Sequence, residues 1–147
     1  MNNVIDKGLI ALDLEAQSKE QVIIELSKLI EKHGSLLNFK EYVEEVFKRE
    51  AISATSAVFN IAIPHGRGTS VKSAAVALAR LKHEILWSEE GKVKYVFLVA
   101  APEKEIGDTS MRIITGLARR VMREEFRESL MKAANADELL EILTEIL

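Results

Sequence analysis

Two periodicities alternate along this chain, one near 3.6 residues and one near two, and the changes between them mark out its elements. Leu9 to Leu14 (LIALDL) alternates loosely and predicts a short edge strand. Ser18 then opens a helix, with Gln21 as its capping-box partner and Val22, Leu26, Leu29 and Ile30 as its buried stripe. Gly34 ends that helix. Asn38 caps a second one, whose apolar face is Phe39, Tyr42, Val43, Val46 and Phe47 and which runs up to Arg49 and Glu50. After an irregular stretch rich in Ser, Ala and Thr, Ala74 to Leu81 (AAVALARL) and Lys94 to Ala101 (KYVFLVAA) read as strands. The second is almost continuously apolar, which predicts a central position. Trp87 to Lys92 reads as an exposed, hairpin-like connection between the two. Pro102 closes the second strand, Asp108 or Thr109 caps a third helix, and Ile113, Ile114, Leu117, Ala118, Val121 and Met122 recur at helical spacing. Glu124 to Ala133 and Asp137 to Leu147 are two further amphipathic segments. Helices before, between and after strands predict an α/β fold, an α+β sandwich whose sheet is covered on both faces.

The 147 residues, 48% of them hydrophobic, suffice for one buried core, and no repeat, low-complexity tract or linker divides them. We therefore expect a single domain, 1–147. There is no cysteine, which removes disulfides, thiolate metal sites and a cysteine nucleophile from the chemistry of this chain. Apolar runs such as Tyr95 to Pro102 fall far short of the ~20 residues that span a bilayer, and the start lacks a basic region followed by an apolar stretch. The expectation is a cytoplasmic protein with no membrane insertion. A net charge of -3, with acidic and basic residues interspersed and few aromatics, argues against nucleic acid as a partner.

One short run concentrates the chemistry: Ile61-Ala62-Ile63-Pro64-His65-Gly66-Arg67. Pro64 fixes its own φ and biases Ile63 towards an extended conformation, and Gly66 is expected to turn the chain sharply beside the imidazole. A histidine presented in this way serves as base, ligand or nucleophile near neutral pH. Arg49 sits at a helix end, where a cation offsets the negative terminus; if the segment from Ala51 to Asn60 folds back, it brings a guanidinium towards His65. His33 and His83 stand at no metal-ligand spacing from His65, and there is no His-Glu-x-x-His, so neither a metal nor another cofactor is expected. Gly66 to Ser70 lacks the ending of a nucleotide-binding loop, and no Gly-x-Ser-x-Gly elbow exists for a hydrolase.

Arg49-Glu50, then Thr55, then Ile61 to Gly66 resembles the phosphorylation-site region of the fructose/mannitol-type (type 2) enzyme IIA domains of the bacterial sugar phosphotransferase system. The resemblance extends through Val96 to Pro102, Leu117 to Arg120 and Glu125 to Leu130. It implies a single mixed, mainly parallel sheet of about five strands. It also implies that His65 takes a phosphoryl group on Nε2 from phospho-HPr and passes it to a cysteine of an enzyme IIB, with Arg49 neutralising the phosphoryl oxygens. Membrane enzyme IIC would be an indirect partner. Many members carry a second histidine where Ser110 stands, and glycines where Ser56, Val58 and Asn60 stand. A serine there donates a hydrogen bond but carries no charge. Since the chain has neither a IIB cysteine nor an HPr domain, donor and acceptor are expected to be separate polypeptides. Val58, Phe59 and Val71 are the candidates for an apolar docking face beside His65. An alternative role, seen in nitrogen-type relatives, is regulatory: the phosphorylation state of His65 controls a partner protein.

Overall fold

The computed structural model describes residues 4–52, 59–89, 91–104 and 109–147. A short 3-10 turn at Lys7–Leu9 leads into β1 (Ile10–Leu14), so Leu9, expected to begin the strand, is instead a fully buried residue of the turn. Helix α1 (Lys19–His33) starts where its cap predicts: Ser18 Oγ accepts from the Gln21 amide at 3.1 Å, and Gln21 Oε1 accepts from the Gln17 amide at 2.9 Å. It ends at Gly34, which adopts φ 92° and donates back to Glu31, while the Ser35 amide reaches the Ile30 carbonyl. Asn38 Oδ1 accepts from the Glu41 amide at 2.9 Å and caps α2 (Phe39–Ile52).

Four strands follow: β2 (Ile61–Ala62), β3 (His65–Gly68), β4 (Ala75–Ser88) and β5 (Gly91–Pro102). The sheet is mixed. β1 pairs parallel with β4, β4 antiparallel with β5, and both β2 and β3 pair parallel with β5 along its other side. Pro64 interrupts what is otherwise one edge strand, because it has no amide hydrogen to give a ladder. Ala75 to Ala79 and Val96 to Ala100 are buried without a break, which requires cover on both faces. The cover is α1, packed on β4 and β5 and against α2, and the series α3 (Thr109–Val121), α4 (Glu124–Lys132) and α5 (Ala136–Thr144). Arg80 of β4 ties the sheet to the end of α4, donating to the carbonyls of Leu130 and Ala133 at 3.2 and 2.7 Å.

Three expectations are corrected. The stretch from Trp87 to Lys92 is not an exposed connection: β4 and β5 continue through Ile85 paired with Val93, Leu86 with Lys92 and Ser88 with Gly91, and Trp87 is only 3% exposed. Alternation within Ile85-Leu86-Trp87 places Leu86 outward and its neighbours inward, a signal that the charged Lys82-His83-Glu84 before it obscures. Met122 and Ala118 are exposed, so the buried face of α3 is Ser110, Ile113, Leu117 and Val121. Finally, α5 begins at Ala136, capped by Asn135 Oδ1 on the Glu138 amide at 3.0 Å, with Glu138 Oε2 returning to the Ala134 amide at 2.8 Å. Asp108, a candidate cap for α3, lies outside the described residues.

Candidate functional site

His65 is the first residue of β3 and pairs with Val99 in the middle of β5. It is therefore held in an extended strand, and the turn expected at Gly66 does not occur there. Gly66 serves close approach instead. A Cβ at this position would lie 2.7 Å from Val46 Cγ2 and 3.0 Å from Tyr42 Cε1, so the bare backbone of β3 rests directly on α2. Tyr42, itself fully buried, donates its hydroxyl to the Val99 carbonyl at 3.0 Å, while the Val99 amide donates to Pro64 O at 3.0 Å. The strand residue opposite the histidine is thereby fixed on two sides.

The imidazole is half-buried, and its Nδ1 lies 3.5 Å from the Ile63 carbonyl. A carbonyl only accepts, so this contact favours the tautomer with the proton on Nδ1 and the lone pair on Nε2. Burial lowers the pKa of His65 from its ordinary value. The Ile63 carbonyl opposes that shift, the Arg49 guanidinium adds to it, and Glu50 opposes it. The net result favours the neutral ring, which is the nucleophilic form. Glu50 is nearly buried and holds Lys19 Nζ at 3.4 Å, with that ammonium 5.6 Å from the Trp87 ring.

Around His65 opens a cleft of about 420 Å³. The last turns of α2 contribute Glu45, Lys48, Arg49 and Ile52; β3 contributes Arg67; and the first turns of α3 contribute Ser110, Met111 and Ile114. The fold thus gathers all three residues singled out from the sequence, His65, Arg49 and Ser110, into one cavity. Among the described residues that line it, Lys48, Arg49 and Arg67 outnumber the carboxylate of Glu45, so this wall suits an anionic group presented to a neutral imidazole. Its rim is apolar: Ile52 is 82% exposed and Met111 53%.

The docking residues expected from the sequence are distributed differently. Val71 belongs to the core, at 4% exposure; Val58 lies outside the described residues; and Phe59 is exposed but stacks on the Arg127 guanidinium, 3.7 Å from the ring centroid. Arg67, Ile52 and Met111 were missed. Strand alternation from His65 would have found Arg67, whereas Ile52 and Met111 are exposed through tertiary placement that leaves no local signal. His33 instead contacts Asp6 Oδ2 through Nδ1 at 2.9 Å, and His83 lies exposed on β4. Among the described residues no cluster of three metal-binding side chains occurs.

Residues 3–146 match the family model described as "Phosphoenolpyruvate-dependent sugar phosphotransferase system, EIIA 2". The chain belongs to this type-2 (fructose/mannitol) family of phosphotransferase-system EIIA components. Over 99% of its length it is 32% identical to the fructose-specific EIIABC component of Bacillus subtilis (strain 168), covering 23% of that protein. The chain spans about a fifth of the length of the first curated relatives it matches. Among solved structures, the nitrogen regulatory protein IIA-Ntr from Neisseria meningitidis superposes with a TM-score of 0.86 at 32% identity, covering 95% of this chain and 96% of that one. The mannitol enzyme IIA of Escherichia coli, solved in complex with phosphorylated mannitol enzyme IIB, gives a TM-score of 0.81 at 25% identity, covering 96% and 97%. No described helix of this chain is long and apolar enough to cross a membrane.

Proposed function

We propose that this chain, acting as one domain in the cytoplasm, is a phosphoryl relay for carbohydrate uptake. His65 Nε2 attacks the phosphoryl group of phospho-HPr; the Nε2–P bond forms as the bond to the donor breaks, and the donor keeps that electron pair. The group then passes to a cysteine of a separate enzyme IIB. Arg49 stabilises the phosphoryl oxygens, and Ser110, at the place matched to a second histidine, donates a hydrogen bond without adding charge. The observation that carries this reading is a half-buried imidazole, bonded through Nδ1, in a cleft lined by Lys48, Arg49 and Arg67. In-line phosphoryl transfer asks of a protein mainly such positioning and charge.

The test is incubation with phospho-HPr, with intact mass measured for an acid-labile phosphoryl adduct. An adduct on the wild type and none on His65→Ala is expected; no adduct on the wild type removes the relay reading. Arg49→Gln is expected to slow adduct formation by about 10²-fold.

A second reading follows from the likeness to IIA-Ntr, which is as similar in sequence as the sugar-specific relative. On that reading the phosphorylation state of His65 controls a partner protein. Chasing the labelled protein with candidate enzyme IIB proteins separates the two, since a regulator keeps its phosphoryl group in their presence.

A further inference from the structure

We propose that Arg67 is a second catalytic guanidinium, which closes onto the phosphoryl group as it arrives at His65. The inference rests on the relay reading for its substrate and on β3 for its geometry. Residues 65 and 67 are two apart in one extended strand, so their side chains leave the same face, with Cα atoms roughly 6.6 Å apart. Gly66 between them faces α2, where a Cβ would strike Val46 and Tyr42. The tight seating of the glycine therefore aims both neighbours away from α2's buried face, and both line the cleft.

Arg67 is also free to move. It is exposed, and its side chain makes a long hydrogen bond, from Nη2 to the Glu103 carbonyl at 3.4 Å. An exposed bond of that length contributes little and exchanges readily with water. Arg49 acts on the resting imidazole electrostatically, whereas Arg67 rests on the Glu103 carbonyl. The two guanidiniums consequently have different duties. Arg49 belongs to the resting site, while Arg67 leaves Glu103 and pairs with phosphoryl oxygens only when they are present, an interaction that strengthens with the charge it meets. In the step it assists, the Nε2–P bond forms, the donor–P bond breaks with its electron pair going to the donor, and the proton on Nδ1 stays in place. Arg67 itself is unchanged.

The test compares wild type, Arg67→Gln and Arg67→Lys with two donors: phospho-HPr, and phosphoramidate, a small donor that departs as ammonia and has no protein surface. A loss of about tenfold or more in the rate of His65 phosphorylation of Arg67→Gln with both donors is expected, with partial rescue by lysine and an unchanged unfolding midpoint. Equal rates for wild type and Arg67→Gln with phosphoramidate overturn the proposal; if the loss then persists with phospho-HPr, Arg67 contacts the donor protein and not the phosphoryl group. Should wild type accept from phosphoramidate but not from phospho-HPr, the relay reading falls while the phosphoramidate rates still decide the role of Arg67. Acceptance from neither overturns both.

Discussion

The Tyr42 hydroxyl donates to the Val99 carbonyl at 3.0 Å, at the strand position paired with His65. This bond crosses from α2 into the middle of the sheet and is buried. Burial also raises the pKa of Tyr42 well above its ordinary value, so the phenol keeps its proton to donate. Tyr42→Phe leaves a carbonyl lone pair unmet and is expected to cost about 1–3 kcal/mol in urea unfolding. The Val99 amide, bonded to Pro64 O, should also exchange faster. Unchanged stability and exchange would show that the bond contributes nothing.

Gly66→Ala is expected to destabilise by about 1–3 kcal/mol, since its methyl group would sit 2.7 Å from Val46 Cγ2. Val46→Ala opens space at the same point. The double variant should therefore be more stable than the sum of the two single losses predicts, because the new methyl fills part of the new cavity. Strict additivity in a double-mutant cycle argues that the strand is not seated as described.

The lowered pKa of His65 has a definite sign. Between its folded value and the ordinary 6.5, the unfolded chain binds the proton more readily, so stability rises with pH across that window. The contribution of His65 is complete above 6.5 and is lost as the pH falls through the folded value. Burial is the largest cause and remains in any charge variant, but Arg49→Gln removes a repulsion and is expected to raise the pKa, while Glu50→Gln is expected to lower it further. Titration of the imidazole by NMR reads both shifts, and a variant that moves it the other way contradicts the assignment.

Phe59 and Asn60 both occupy left-handed backbone, with φ of 53° and 64°. Asparagine tolerates this region, and a bulky aromatic does so only under compensation, here the stacking on Arg127. Asn60→Gly should leave stability within a few tenths of a kcal/mol, whereas Asn60→Val should cost about 1–3 kcal/mol. Equal unfolding midpoints for the two variants would rule out a conformational constraint at this position.

That pair illustrates what is legible in a sequence. Caps at Ser18, Gly34 and Asn38 involve partners a few residues away, and each forms where local chemistry places it. The central character of Lys94 to Ala101 follows from unbroken apolarity and is equally local. Asn60 was legible only as a polar residue before the Ile61 run; that it takes up left-handed backbone required the fold. Gly66 shows the limit more sharply. A glycine after Pro-His suggests a turn, yet the reason for it lies on another element, in the side chains of Val46 and Tyr42. The cleft itself was legible only as three residues, because α2, β3 and α3 meet there through the tertiary structure alone.

The broken edge formed by β2 and β3 bears on how the protein fails. Among the described residues these short segments pair in the sheet with β5 alone, while β4 and β5 share a much longer ladder. Under mild denaturant such an edge opens before the body of the sheet does. Phosphoryl acceptance is therefore expected to disappear at urea concentrations that leave the fluorescence of Trp87, set in β4, unchanged, and the Gly66 and Arg67 amides should be less protected from exchange than those of Phe97 and Leu98. Coincident loss of both signals would contradict this order. On the relay reading, a stressed cell would lose phosphoryl transfer while most of the sheet still stands, and regain it without refolding from the beginning.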